Sequence, residues 1–231
     1  MHKLVPVSLC LTAACLGSAH ALTLDFGVGP AEPFACTAAV TGLGALEACT
    51  TGNYIAQSHG DVAGVLDVVY NAPRVAGDRS LRWWNTDYNN LYGVLWAEGG
   101  DANSQAVIDL KPLDGSGVRL DGFDLGAWSS TTRNTSVTVQ DLGSGAVLFS
   151  YSGSVGVQPA NLATHFALTG VESANGLRIQ WQDSAYNVGI DNISFSVGAV
   201  PEPGTWVMLG AGLLGDRKST RLNSSHRPLS R

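Results

Sequence analysis

Ten stretches of this chain have the length and chemistry of β-strands, and no segment keeps apolar residues 3.6 positions apart for three turns. Residues 22–26, 62–70, 91–98, 106–110, 118–128, 135–142, 146–152, 163–168, 176–182 and 188–197 alternate in polarity or concentrate β-branched and aromatic side chains. Gly, Asn, Asp and Ser separate them. Helices are therefore expected to be short and few. Gly143-Ser144-Gly145 reads as a three-residue hairpin loop with glycine where a positive φ is wanted. About ten short strands predict an all-β chain, an antiparallel β-sandwich of jelly-roll type with two sheets packed face to face. A β-helix would need a repeat of fixed length, and the sequence contains none.

The N-terminus has a different logic. Met1-His2-Lys3 is a short positive start, residues 4–16 are apolar, and Ala19-His20-Ala21 is a small-x-small cleavage site. Residues 1–21 are thus expected to be a signal helix that is removed, since the apolar run is too short to span a bilayer core of about 30 Å. The sandwich is assigned to residues 22–198. Cys10 and Cys15 leave with the signal, so the exported chain keeps Cys36 and Cys49, an even pair in an oxidising compartment whose default fate is a disulfide. Neither has His or carboxylate partners at ligand spacing for a metal or nucleophile role.

Charge narrows the partners. Between the signal and residue 216 the chain has seven basic side chains against 18 acidic ones, a net charge near −11. Arg74, Arg79, Arg82, Lys111, Arg119, Arg133 and Arg178 are scattered singly, so no basic stripe exists to neutralise a phosphate backbone, and nucleic acid is not an expected partner.

One segment stands out for ligand chemistry. Residues 80–96 place Trp83, Trp84, Tyr88, Tyr92 and Trp96 among Asn85, Asp87, Asn89 and Asn90. Flat rings beside amides and carboxylates suit a sugar, whose C–H face stacks while its hydroxyls hydrogen-bond. A sandwich core needs large rings too. Trp83 and Trp84 are adjacent and point to opposite faces of any strand, so at most one of them enters a given core. Trp83, Trp84, Tyr88 and Tyr92 are the candidate ligand contacts. Catalytic signals are thin: there is no Gly-x-Ser-x-Gly, no His-Glu-x-x-His and no phosphate loop, and His59 and His165 are the only histidines between residues 22 and 198. The expectation is a binding or structural protein, with a secreted glycan hydrolase as the alternative.

Val118-Arg119-Leu120-Asp121-Gly122-Phe123-Asp124-Leu125-Gly126, the hairpin after it, and Gly189-Ile190-Asp191-Asn192-Ile193-Ser194-Phe195 resemble the galactose-binding-like jelly rolls of carbohydrate-binding modules and bacterial surface proteins. The resemblance spans roughly residues 60 to 197. It implies a structural Ca²⁺ where the first and last strands meet, and Asp25 and Asp191 hold those terminal-strand positions. Calcium takes six to eight oxygens, several of which a sheet edge can supply as carbonyls.

After the last predicted strand, Val200-Pro201-Glu202-Pro203 precedes an apolar run at 206–215. This order closely resembles the PEP-CTERM sorting tail, in which a Pro-Glu-Pro triplet precedes a membrane helix and a basic cluster. The resemblance implies that Pro201, Glu202 and Pro203 are recognised by an exosortase. It also implies passage through the secretion machinery, transient membrane anchoring, and display at the outer surface or in the extracellular matrix of a Gram-negative bacterium, where extracellular polysaccharide is the natural partner. Proline-flanked backbone stays extended and open to an enzyme. The apolar helix, about ten residues, is half of the roughly twenty needed to span. Asp216-Arg217-Lys218-Ser219-Thr220-Arg221-Leu222-Asn223-Ser224-Ser225-His226 resembles the translation of a common sequencing adapter. Residues 216–231 are accordingly read as non-native, and 199–215 as a truncated sorting tail.

Overall fold

In a computed structural model the described residues are 20–27, 34–38, 42, 44–77, 79–182 and 184–198. Residues 1–19 of the predicted signal helix, residues 199–215 with Pro201, Glu202 and Pro203, and residues 216–231 lie outside them; the last two residues assigned to that helix, His20 and Ala21, are instead paired as strand with Val197 and Ser196. Fourteen strands are described: β1 (His20–Leu24), β2 (Ala35–Thr37), β3 (Leu46–Ala48), β4 (Tyr54–Ile55), β5 (Leu66–Asn71), β6 (Arg82–Trp84), β7 (Val94–Trp96), β8 (Gln105–Pro112), β9 (Gly117–Ala127), β10 (Arg133–Asp141), β11 (Val147–Val155), β12 (Thr164–Ser173), β13 (Leu177–Gln182) and β14 (Val188–Gly198). Each of the ten predicted stretches overlaps one of these strands. Among the described residues no helix is long and apolar enough to cross a membrane.

The strands form two antiparallel sheets. One runs β12-β9-β14-β7-β6-β4-β2-β3, with β1 beside β14; the other runs β11-β10-β13-β8-β5. Strand β14 is the keel of the larger sheet. It pairs with β9 along its length, and its other edge is shared by β7 at Ile190↔Leu95 and β1 from Leu24↔Ile193 to His20↔Val197. In β5 and β13 every second side chain is buried, the signature of a sheet with one wet face. The core between the sheets joins Leu120, Phe123, Leu125, Ile190 and Phe195 of the larger sheet to Val68, Ile108, Val137, Ile179 and Trp181 of the smaller.

Local chemistry explains the joints. The β10–β11 hairpin turns at Gly143-Ser144-Gly145 with Gly145 at φ 71°. Asp141 closes the loop by accepting from the Ser144 N–H and hydroxyl, and it also accepts from the Ser173 hydroxyl. Those hydrogen bonds, the one from Ser173 foremost, hold its carboxyl well below the usual range. Cys36 of β2 is disulfide-bonded to Cys49, just past β3, with Cα atoms 4.7 Å apart. Across the smaller sheet, Arg178 of β13 makes a two-pronged pair with the buried Asp109 of β8, at 2.7 and 2.8 Å.

Unlike β5 and β13 of the smaller sheet, β9 and β14 are covered on both faces over much of their length. Their outer face carries a second, smaller cluster of Tyr88, Leu91, Val94 and Trp96. Strand β7 shows the split: Leu95 enters the main core while Val94 and Trp96 face the other way.

Candidate functional site

Two glycines make the site possible. Gly126 of β9 and Gly189 of β14 are direct cross-strand partners on the outer face. A Cβ at Gly126 would lie 2.4 Å from the Tyr88 carbonyl oxygen, and one at Gly189 would lie 2.5 Å from Val94 Cγ2 and 3.0 Å from Tyr88 Cδ1. The missing side chains leave a bed on which the segment between β6 and β7 lies flat. Asp87 and Asn89 take positive φ there, a conformation that short polar side chains tolerate. Asn89 is buried; its Oδ1 accepts from Ala127 N–H at 2.7 Å and its Nδ2 donates to Thr131 O at 3.0 Å. Asn90 Oδ1 accepts from Ala163 N–H at 2.6 Å. The pinned segment divides the sheet face into two clefts.

The first cleft is aromatic. Trp84, Tyr88, Trp96, Trp128, Tyr186 and Asn187 line about 150 Å³. Trp96 meets Tyr186 edge-to-face at 5.1 Å and Trp84 at 6.1 Å, the geometry that ring quadrupoles favour. Trp128 and Tyr186 keep 36% and 40% of their surface exposed. The Trp96 indole N–H is buried with no hydrogen-bond acceptor among the described residues. Burial pushes the Tyr88 phenol far up, so it stays neutral while donating to Tyr186 O. Arg133 forms the rim, donating to Trp128 O and to Asp101, which in turn accepts from Asn187.

The second cleft is polar and larger, about 620 Å³, with Asp25, Asn90, Tyr92, Asp124, His165, Asp191 and Asn192 in its wall. His165, Asp124 and Asp191 form one cross-strand row over β12, β9 and β14. His165 Nδ1 is 2.7 Å from Asp124 Oδ1, and Asn192 Nδ2 donates to Asp124 Oδ2 at 2.8 Å. Asn192 reaches that carboxylate because β14 bulges between Asp191 and Ser194, with Asn192 at φ 52°. Asp191, 3% exposed, accepts from Phe26 N–H at 2.8 Å. Burial pushes its carboxyl up to about 7, and the neighbouring Asp25 and Asp124 push the same way against the hydrogen bonds from the Phe26 and Asn192 backbone.

The structure separates the residues singled out from the sequence. Trp83 is corrected: at 4% exposure it belongs to the main core, where its indole N–H donates to Phe26 O at 2.8 Å. Its neighbour Trp84 takes the outer face, as adjacency in a strand requires. Trp84 and Tyr88 line the aromatic cleft, although Tyr88 is 3% exposed and belongs to the buried outer-face cluster. Tyr92, 70% exposed, stands in the polar cleft with Asp25 and Asp191. Asp25 Oδ1 is engaged by Gly27 N–H at 2.7 Å, and among the described residues no three His, Cys, Asp or Glu side chains come together as a metal-ligating group. Sequence reasoning missed Trp128, Tyr186, Asp124, His165 and Asn192. A signal was available for the third: Gly122, Asp124 and Gly126 alternate with Phe123 and Leu125, marking an outer face stripped of bulk.

The sequence model of the PEP-CTERM protein-sorting motif matches residues 199–221, which include Pro201, Glu202 and Pro203 and extend past Gly215 to Arg221. Comparison with curated proteins finds no match to the chain.

Proposed function

We propose that this chain, which carries a PEP-CTERM protein-sorting motif, is an exosortase substrate exported to the cell surface or matrix, where its β-sandwich binds polysaccharide in the aromatic cleft. The observation that carries the binding half is the cleft itself. Three tryptophans and two tyrosines surround a space of about 150 Å³, with the exposed rings Trp128 and Tyr186 at its mouth and the amide of Asn187 in its wall. Stacking on such rings is how a sugar's C–H face is held. The finer reading of the fold is a galactose-binding-like jelly roll, and the reading of the activity is binding without turnover.

Affinity electrophoresis in gels containing neutral polysaccharides tests this. Retardation of the wild-type chain, lost in Trp128→Ala and in Tyr186→Ala, is the expected result. A panel in which no polysaccharide retards it sinks the proposal, and release of reducing sugar moves the assignment to a glycan hydrolase. Calcium is the second reading, for the polar cleft, where Asp25 and Asp191, the pair that the jelly-roll resemblance singles out, line one wall. Added Ca²⁺ should then raise the melting temperature of the wild type and leave Asp191→Asn unmoved; an equal response of both removes Asp191 from the site.

A further inference from the structure

The edges of the two sheets are treated very differently. A sheet edge presents unpaired N–H and C=O groups that template pairing with another chain unless something blocks them. Strand β3 is only three residues long, carries Glu47 and is braced by the nearby disulfide. Strand β5 is capped by side chains: Val68 N–H donates to Asp61 at 2.9 Å, Tyr70 N–H donates to Gln57 at 3.0 Å, and Gln57 donates back to Tyr70 O at 2.7 Å. Strand β12 is broken by an irregularity between Ala167 and Val171, with Gly170 at φ 71°, and carries Glu172.

Strand β11 has fewer of these devices: a bulge at Leu148 near its start, where Val139 pairs with Phe149 and Gln140 with Val147, and a regular run from Phe149 onward. It is nine residues long, ends the five-stranded order, and contains no charge and no proline. The charge-free sequence extends from residue 142 to residue 171 in a body whose net charge is near −11. Val147 is 56% exposed and Leu148 is exposed beside it. Along its outer edge the one side-chain contact to its backbone among the described residues is the Tyr151 hydroxyl on Ser154 O.

We propose that β11 is a self-pairing edge: two copies join antiparallel about a two-fold axis at Tyr151, fusing their five-stranded sheets into one. The strand is nearly self-complementary under that operation. Over the regular run from Phe149 to Gly153, Ser150 falls opposite Ser152 of the second copy on the exposed face and Phe149 opposite Gly153 on the inner one, and no charged side chain enters the ladder. A second copy is the occupant because two bodies of the same strong charge repel wherever charge is present, and this strip is where it is absent. The inference is independent of the glycan reading.

Sedimentation velocity of the full chain over a concentration series tests it. The wild type should shift from monomer to dimer. Ser150→Lys/Ser152→Lys and Ser150→Glu/Ser152→Glu should each stay monomeric, because both side chains are exposed and the introduced charges face their like across the axis. Mixing the two variants should restore the dimer, since each ammonium then faces a carboxylate. Ser136→Lys, one strand inward on the same face, should dimerise as the wild type does. A monomeric wild type, a dimer that survives both double substitutions, or a mixture that stays monomeric while both variants keep native circular dichroism overturns the proposal.

Discussion

Gly126→Ala tests the bed beneath the dividing segment. The new methyl carbon would sit 2.4 Å from the Tyr88 oxygen and 2.9 Å from its carbonyl carbon. Non-bonded heavy atoms settle at about 3.5 Å, so the Tyr88 backbone has to rise by about 1 Å. It is not free to do so: Leu91 N–H donates to Tyr88 O, the Tyr88 hydroxyl donates to Tyr186 O, and Tyr88 bridges to Trp128. Overpacking of this kind costs about 1–3 kcal/mol. For a domain of this size each kcal/mol moves the melting temperature by roughly 2–4 °C, so a fall of roughly 2–12 °C is expected. The same displacement disturbs the wall shared by Tyr88, Trp84 and Trp96, so the near-UV circular dichroism of those rings should weaken and retardation in polysaccharide gels should drop. Gly189→Ala should act in the same direction. A Gly126→Ala protein with wild-type melting temperature and wild-type near-UV spectrum would show that the segment does not rest on the glycine pair.

Three further outcomes follow from the geometry. Folded Asp191 ionises at about 7 and the unfolded residue near its ordinary value of about 4. Between those limits the folded state holds the extra proton, so this residue's contribution to stability falls as pH rises through the window and the penalty is complete above it. Asp191→Asn keeps an acceptor for Phe26 N–H and should melt above the wild type at pH 8, with the gap closing towards pH 4; a gap independent of pH contradicts the assignment. Reducing Cys36–Cys49 should lower the melting temperature by the equivalent of at most about 3 kcal/mol, and far-UV circular dichroism should still report an intact sandwich, because the bridge braces only the end of the larger sheet at β2 and β3. Arg178→Ala should destabilise by about 3 kcal/mol, since it leaves the Asp109 carboxylate buried without its guanidinium; chemical denaturation within 0.5 kcal/mol of wild type would refute that.

How far the fold could be read from the chain depended on strand length. Nine strands carry enough residues for alternation or β-branched content to show, and the three-residue β7 was found only inside the longer apolar stretch 91–98, whereas β2, β3, β4 and β6 have two or three residues each, too few to express a period. Those four depend on pairing and on the disulfide, which are tertiary facts. The tandem tryptophans show the same boundary at the level of one residue. Adjacency dictated that Trp83 and Trp84 part company, but nothing local decides which of the two enters the core.

The polar cleft was half legible for a related reason. Asp25 and Asp191 could be placed together because terminal strands meet in such folds, yet the partners that give Asp191 its chemistry are cross-strand and depend on register. Asp124 opposes it only because β9 and β14 pair through Gly126↔Gly189 two residues earlier, and Asn192 turns to Asp124 only because the bulge follows. What the sequence does carry is the absence of side chains: Gly122, Gly126 and Gly189 fall on the outer-face positions of two strands whose inner positions are Phe123, Leu125 and Ile190. A glycine opposite a glycine on neighbouring strands cannot serve packing between sheets, since the core positions alternate with it and are full. It has to serve something laid against the other face. In this chain that is the segment carrying Tyr88, and both clefts exist because it lies there.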